Sequence, residues 1–153
     1  MDLTRGALKA PVYTDWTSVA NIAWDGVSGL NIVMSANILI RMDTLPPWFV
    51  CYADFSFDMQ VTAGAGVVLG WVRFNRQNTG LITTDASPPP LTYIPEVQGD
   101  GTKRNYTPKA QIYGPSYSDP VPYLFANVRG VGTGASTAWA ITDIKARLMY
   151  IPL

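Results

Sequence analysis

The sequence predicts an all-β protein: a single-domain β-sandwich of jelly-roll or Greek-key topology. Three observations predict it. Long stretches alternate apolar and polar residues with a period of two, the pattern of a half-buried strand. Gly and Pro clusters punctuate the chain between them, as in folds built from many short strands. The length, 153 residues, suits one domain with a core that needs no covalent staples.

The clearest element is WFVCYADFSFDMQV, Trp48 to Val61. Cys51, Ala53, Phe55, Phe57, Met59 and Val61 fall on one face. Val50, Tyr52, Asp54, Ser56, Asp58 and Gln60 fall on the other. Thr62 to Gly66 is a small-residue turn, and VVLGWVRFN, Val67 to Asn75, reads as the returning strand of a hairpin with 48–61. Gly70 inside it predicts a bulge or a close backbone approach. Upstream, residues 1–12 lack periodicity and read as an N-terminal arm, with the sandwich domain spanning 13–153. YTDWTSVANIAW, Tyr13 to Trp24, fits either a helical face or a strand face, and the strand is expected because the rest is β. Asp25-Gly26 and Ser28-Gly29 mark turns, and Leu30 to Met42 is a further strand.

An irregular, Pro-rich excursion covers residues 76–120. Strand-like pieces survive in it at Gly80 to Thr84, Leu91 to Ile94 and Ala110 to Tyr113, and proline confines them to sheet edges or ordered loops. Pro122 to Val131 is a strand turned by Gly132-Thr133-Gly134, and the glycine-rich run Gly130 to Gly134 reads as a flexible hairpin turn, with no Lys after it to make a phosphate loop. TAWAITDIKARLMYI then alternates without a break. Ala138, Ala140, Thr142, Ile144, Ala146, Leu148 and Tyr150 take one face; Trp139, Ile141, Asp143, Lys145, Arg147, Met149 and Ile151 take the other. This last strand is expected to pair centrally. The total is seven to nine strands.

Composition narrows the function. Charged residues are 14% of the chain, against about 25% in an ordinary soluble domain. Either an uncharged polar surface or a surface facing other protein accounts for this. Eleven basic residues balance eleven acidic ones, so no field draws in nucleic acid. Lys103-Arg104 with Lys109 reads as a solvated loop. MDLTRGALKAPVY has no apolar core of a signal peptide, and no run reaches the ~18–20 apolar residues of a membrane helix. No membrane partner is expected.

Recognisable catalytic chemistry is sparse. There is no histidine and one cysteine, Cys51. That excludes Ser-His-Asp and Cys-His arrangements and an intrachain disulfide. Cys51 reads as a small buried hydrophobe. Asp54 and Asp58 share a strand face four residues apart, about 13 Å, wider than the roughly 5–9.5 Å of glycosidase carboxylates. Gly99-Asp100-Gly101-Thr102 reads as a tight turn. No catalytic residue, metal or cofactor is expected. Tyr93, Tyr106, Tyr113, Tyr117 and Tyr123 are scattered through the irregular middle. Such rings pin long loops to the sandwich, or stack on sugars and anchor protein contacts. Tyr106, Tyr113 and Tyr117 are the candidate partner- or glycan-contact residues.

The closing TAWAITDIKARLMYI, the small-residue turns and the low charge together resemble tailed-bacteriophage virion proteins, namely capsid decoration (cement) proteins and fibre tip domains. The resemblance is one of composition and strand texture. It implies a β-sandwich or jelly roll, often trimeric, that is assembled in the host cytoplasm and resides in the virion. It implies a non-enzymatic role with other virion proteins, such as the major capsid protein, as partners. A receptor- or carbohydrate-binding module of a tail or head fibre is the alternative.

Overall fold

The computed structural model describes residues 9–27, 33–42, 44–77, 92–112, 123–133 and 137–153. The strands are β1 (Val12–Tyr13), β2 (Thr17–Ser18), β3 (Ile22–Trp24), β4 (Val33–Arg41), β5 (Trp48–Ala63), β6 (Val67–Gln77), β7 (Thr92–Gly99), β8 (Arg104–Tyr106), β9 (Lys109–Ile112), β10 (Tyr123–Thr133) and β11 (Ala138–Pro152). No helix occurs among the described residues. All the pairings are antiparallel.

In the first sheet β1, β2 and β3 lie along one side of β11, β5 lies along the other, and β8 and β9 follow beyond β5. The second sheet runs β4-β10-β6-β7. Take β1–β3 as one interrupted strand and β8–β9 as another. The first sheet then holds the first, eighth, third and sixth strands in that order, and the second holds the second, seventh, fourth and fifth. That is the jelly-roll order, two interleaved Greek keys, as expected. The C-terminal strand is central in its sheet, also as expected.

The core lies between the sheets. Cys51, Ala53, Phe55, Phe57, Met59 and Val61 of β5 are all buried, the face that alternation assigns inward. They meet Ile38 and Ile40 of β4, Val68 and Val72 of β6, Val128 of β10, and Trp139, Ile141, Ile144 and Leu148 of β11. Burial pushes the Cys51 thiol up to about 12, so it is an inert hydrophobe there.

Three expectations are corrected. The first is the 48–61/67–75 hairpin. β5 bonds to β11, β8 and β9, whereas β6 bonds to β10 and β7 in the other sheet. The connection at 64–66 is therefore an arch from sheet to sheet. Gly64 takes a positive φ of 89°, and the Gly66 N–H donates to Thr137 Oγ1 at 3.2 Å, tying the arch to the head of β11. Alternation shows which face is inside; it does not show which strand lies alongside.

The second is the single phase of β11. Trp139 and Ile141 are inward, and so are Ile144, Ala146, Leu148 and Tyr150. The register jumps between Thr142↔Asp58 and Lys145↔Ser56, so one extra residue sits on β11. Such a bulge flips every later side chain to the other face. Asp143 sits in the left-handed region there, at φ 50°, and its N–H donates to Asn21 Oδ1 at 3.1 Å. Left-handed backbone costs a β-branched residue roughly 1–2 kcal/mol. Asp143→Val is expected to lower unfolding stability by about that much and Asp143→Gly by far less, read from urea midpoints.

The third is the glycine-rich turn. Gly130 to Thr133 are strand, not turn, and they are cut away beneath Trp139. A Cβ on Gly132 would lie 2.7 Å from Trp139 Cδ1, and one on Gly130 2.8 Å from Trp139 Cη2. Gly70 fits its expectation twice over. A Cβ there would meet Met59 Sδ at 2.6 Å, and the β6–β7 register breaks between Gly70 and Val72.

Residues Leu91 to Ile94 and Ala110 to Tyr113 were expected at edges; β7 and β9 are edge strands. The Gly80 to Thr84 piece and the Ser28-Gly29 turn lie outside the described residues.

Candidate functional site on the outer face of the first sheet

The N-terminal strand expected over 13–24 is present but broken into three. It follows β11 throughout. Val12 pairs with Tyr150 and Tyr13 with Met149. The Thr14 N–H donates to the Leu148 carbonyl at 2.9 Å, and the Leu148 N–H donates back to Thr14 Oγ1 at 2.9 Å. Thr17 pairs with Ala146, and Ile22 with Ile141. Between Tyr13 and Thr17 the N-terminal side carries one more residue than β11 does. The extra length forms a hump, and Trp16 sits on it.

That hump builds a stack. The Arg147 guanidinium lies 4.2 Å from the Tyr13 ring centroid and 4.3 Å from that of Trp16. Lys145 Nζ is 5.3 Å from the Trp16 ring. Cation–π contact of this kind contributes about 0.5–2 kcal/mol each. Arg147 Nε also donates to Asp54 Oδ2 at 3.1 Å. Asp54 is 6% exposed, so this part of the expected wet face is covered, and its carboxylate needs the guanidinium. A second polar cluster lies further along β5. Asn105 Nδ2 donates to Asp58 Oδ1 at 2.8 Å and to Ser56 Oγ at 3.2 Å, and Lys103 Nζ stands 3.6 Å from Asp58 Oδ2. Asp54 and Asp58 thus serve separate partners and do not face each other as an acid–base pair.

Further exposed apolar side chains lie toward one end of the sandwich. Among the described residues the exposed large hydrophobics are Val12 (39%), Tyr13 (49%), Trp16 (39%), Val27 (81%), Phe49 (61%) and Leu153 (57%). Five of these six sit on or beside β1 and the neighbouring ends of β5 and β11. The Leu153 N–H donates to the Pro47 carbonyl at 3.0 Å, Lys9 Nζ donates to the Leu153 carbonyl at 2.6 Å, and the register break between Ile151 and Pro152 leaves Phe49 over on β5.

Of the candidate tyrosines, Tyr106 pairs with Phe57 and its ring centroid lies 5.9 Å from that of Phe57. It is half-buried at the sandwich edge, holding β8 against the core. Tyr113 and Tyr117 lie outside the described residues. The cluster around Arg147 was missed by sequence reasoning. The available signal was two aromatics, Tyr13 and Trp16, in a stretch whose period fitted a helical face and a strand face alike.

The Gly99 to Thr102 turn has the expected tight form. The Thr102 N–H donates to Asp100 Oδ1 at 2.9 Å, and Arg104 Nη2 stands 3.4 Å from Asp100 Oδ2. The Thr102 N–H first, and then Arg104, hold the Asp100 carboxyl below its ordinary value. A depressed folded pKa adds stability above the ordinary carboxylate range, and that contribution is lost as pH falls through the depressed value. In an NMR titration Thr102→Pro is expected to move Asp100 upward further than Arg104→Ala.

A cleft of about 470 Å³ beside β3 is lined by Trp24, Met34 and Trp139, with Asp25 and Thr62 as polar side chains. It brings no nucleophile and base together. Among the described residues no three of Cys, Asp and Glu gather as a metal site.

The fold and this face define a jelly-roll sandwich with an exposed aromatic and apolar surface on one sheet. No family model and no curated protein matches the sequence. Two solved structures are similar to it at low identity. One is a chain of infectious bursal disease virus, Gx strain, with TM-score 0.47, 14% identity, 94% of this chain covered and 34% of that one. The present chain therefore spans about a third of the viral chain. The other is a family 11 carbohydrate-binding module from Clostridium thermocellum, in complex with a β-1,3-1,4-mixed-linked tetrasaccharide, with TM-score 0.37, 11% identity, and 95% and 92% covered.

Proposed function

We propose that the protein is a non-enzymatic structural component of a virion that works by contact, through the outer face and end of its first sheet. One observation carries this reading: exposed Tyr13 and Trp16 stack on one Arg147 guanidinium on the outer face of a sparsely charged molecule, with exposed Phe49 and Leu153 toward one end of the same sheet. Exposed neighbours of this kind are the material of a protein interface, with Trp, Tyr and Phe as its energetic anchors. In its specific form the protein is a capsid decoration (cement) protein of a tailed bacteriophage. It bridges major capsid protein subunits and buries about 1,600 Å² per contact. It is assembled in the host cytoplasm and resides in the virion.

A second reading is favoured by the same two rings. Tyr13 and Trp16 are exposed aromatics on an open sheet face, with the Asn105 and Asp58 side chains on that face beyond Asp54. Stacking plus hydrogen bonding is how a receptor- or carbohydrate-binding module holds sugar.

Co-sedimentation with particles made from the structural proteins encoded beside this chain tests the first reading. Wild type is expected to sediment with them. Phe49→Asp and Trp16→Ala are each expected to weaken this about tenfold or more with an unchanged far-UV spectrum. A wild-type protein that ignores the particles but gives a glycan-array signal, lost in Trp16→Ala, would establish the second reading instead.

A further inference from the structure

An edge strand exposes a row of backbone donors and acceptors, and proteins guard such edges with brevity, bulges, Pro or Lys. Three of the four edges here are guarded. The β1–β3 edge is broken into pieces of 2, 2 and 3 residues behind Pro11. The β8–β9 edge has pieces of 3 and 4 residues, with Lys103, Pro108 and Lys109 around them. The β7 edge contains Pro95 and breaks its register with β6.

β4 is different. It is nine residues long, VMSANILIR, with no Pro and one charge, Arg41, at its last position. Its register with β10 is unbroken from Val33↔Val131 to Arg41↔Tyr123. Ala36, Ile38 and Ile40 are buried and fix it in place. On its other side no described strand continues the sheet.

We propose that β4 is a pairing edge for a second copy of this chain, joined antiparallel about a twofold axis at Asn37. The strand is complementary to itself in that register. Its full length overlaps. Met34 stands opposite Ile40 and Ala36 opposite Ile38, so core-side residues meet core-side residues. Val33 stands opposite Arg41, and the two Arg41 side chains lie at opposite ends, about 27 Å apart and well beyond a Debye length of about 8 Å. No like charges are opposed, and the second sheet runs on through both copies. The contact is isologous and closed, so it gives pairs in place of the trimer that the phage resemblance implies. It shares with the proposed function only the idea of a protein that works by contact, and it uses a different surface.

The test is a charge exchange at the axis, read by native mass. Wild type is expected to be a pair. Asn37→Lys opposes two ammonium groups and Asn37→Asp two carboxylates, so each alone is expected to be monomeric. An equimolar mixture is expected to recover the pair, and Phe49→Asp is expected to leave pairing intact while losing particle association. A monomeric wild type, variants that still pair alone, or folded variants whose mixture stays monomeric would overturn the proposal. If both variants misfold, hydrogen exchange of wild type decides. Concentration-dependent protection of β4 amides supports the pair. Its absence, or protection seen only when another virion protein is added, overturns it.

Discussion

Trp139→Ala is expected to be the most damaging single substitution in the molecule, lowering unfolding stability by about 3–5 kcal/mol. The indole is 1% exposed, and it is the largest fully buried side chain among the described residues. It joins the two sheets, because it belongs to β11 of the first and lies on Gly130 and Gly132 of the second. The same geometry predicts damage from the other side. Gly132→Ala sets a methyl group against a rigid ring, and overpacking of that kind costs about 1–3 kcal/mol. Gly70→Ala also meets an atom at 2.6 Å, but that atom is the thioether sulfur of Met59, near the end of a flexible, unbranched side chain that adjusts more readily than an indole. Urea midpoints should therefore rank Trp139→Ala below Gly132→Ala, and Gly132→Ala below Gly70→Ala. An equal loss at both glycines would contradict the packing described.

Arg147→Ala is expected to cost about 3 kcal/mol, because it strands the buried Asp54 carboxylate and removes the group that holds Tyr13 and Trp16. The Asp54 side chain is 8% exposed and that of Arg147 28%, so water screens the pair only in part. Replacing both together, Asp54→Leu with Arg147→Met, is expected to cost much less than Arg147→Ala, since it leaves no lone charge. Hydrogen exchange should show where the loss falls: Tyr13 to Ser18 should open in Arg147→Ala while β5 and β10 stay protected. Uniform loss across the sandwich would show that the stack does not specifically anchor the N-terminal strand.

The fold class was legible because burial imposes a period. Cys51 to Val61 had to alternate to cover one side of a sandwich, and they do. Pairing was less legible. β5 and β6 are consecutive and share a short turn, yet their neighbours are β11 and β10, far along the chain. No local signal encodes that choice. The phase of β11 failed at Asp143, since a bulge leaves each half of the strand correctly alternating and only the join wrong. The glycines at 130 and 132 looked like a turn because their cause, Trp139, lies on the facing sheet. The cluster around Arg147 was invisible for a related reason. Tyr13, Trp16, Asp54 and Arg147 meet only after β1, β5 and β11 are laid side by side, whereas tyrosines in loops attract attention in the linear chain.

The central proposal is that this molecule works by contact with another protein through exposed Tyr13, Trp16 and Phe49 of its first sheet. Hydroxyl-radical footprinting of the free and particle-bound states tests it most directly. Oxidation of Trp16, Tyr13 and Phe49 is expected to fall several-fold on assembly, the size of change that burial of interface anchors brings, while exposed Val27, three residues past β3, keeps its reactivity. Undiminished oxidation of those three rings in a particle that demonstrably contains the protein would contradict the account.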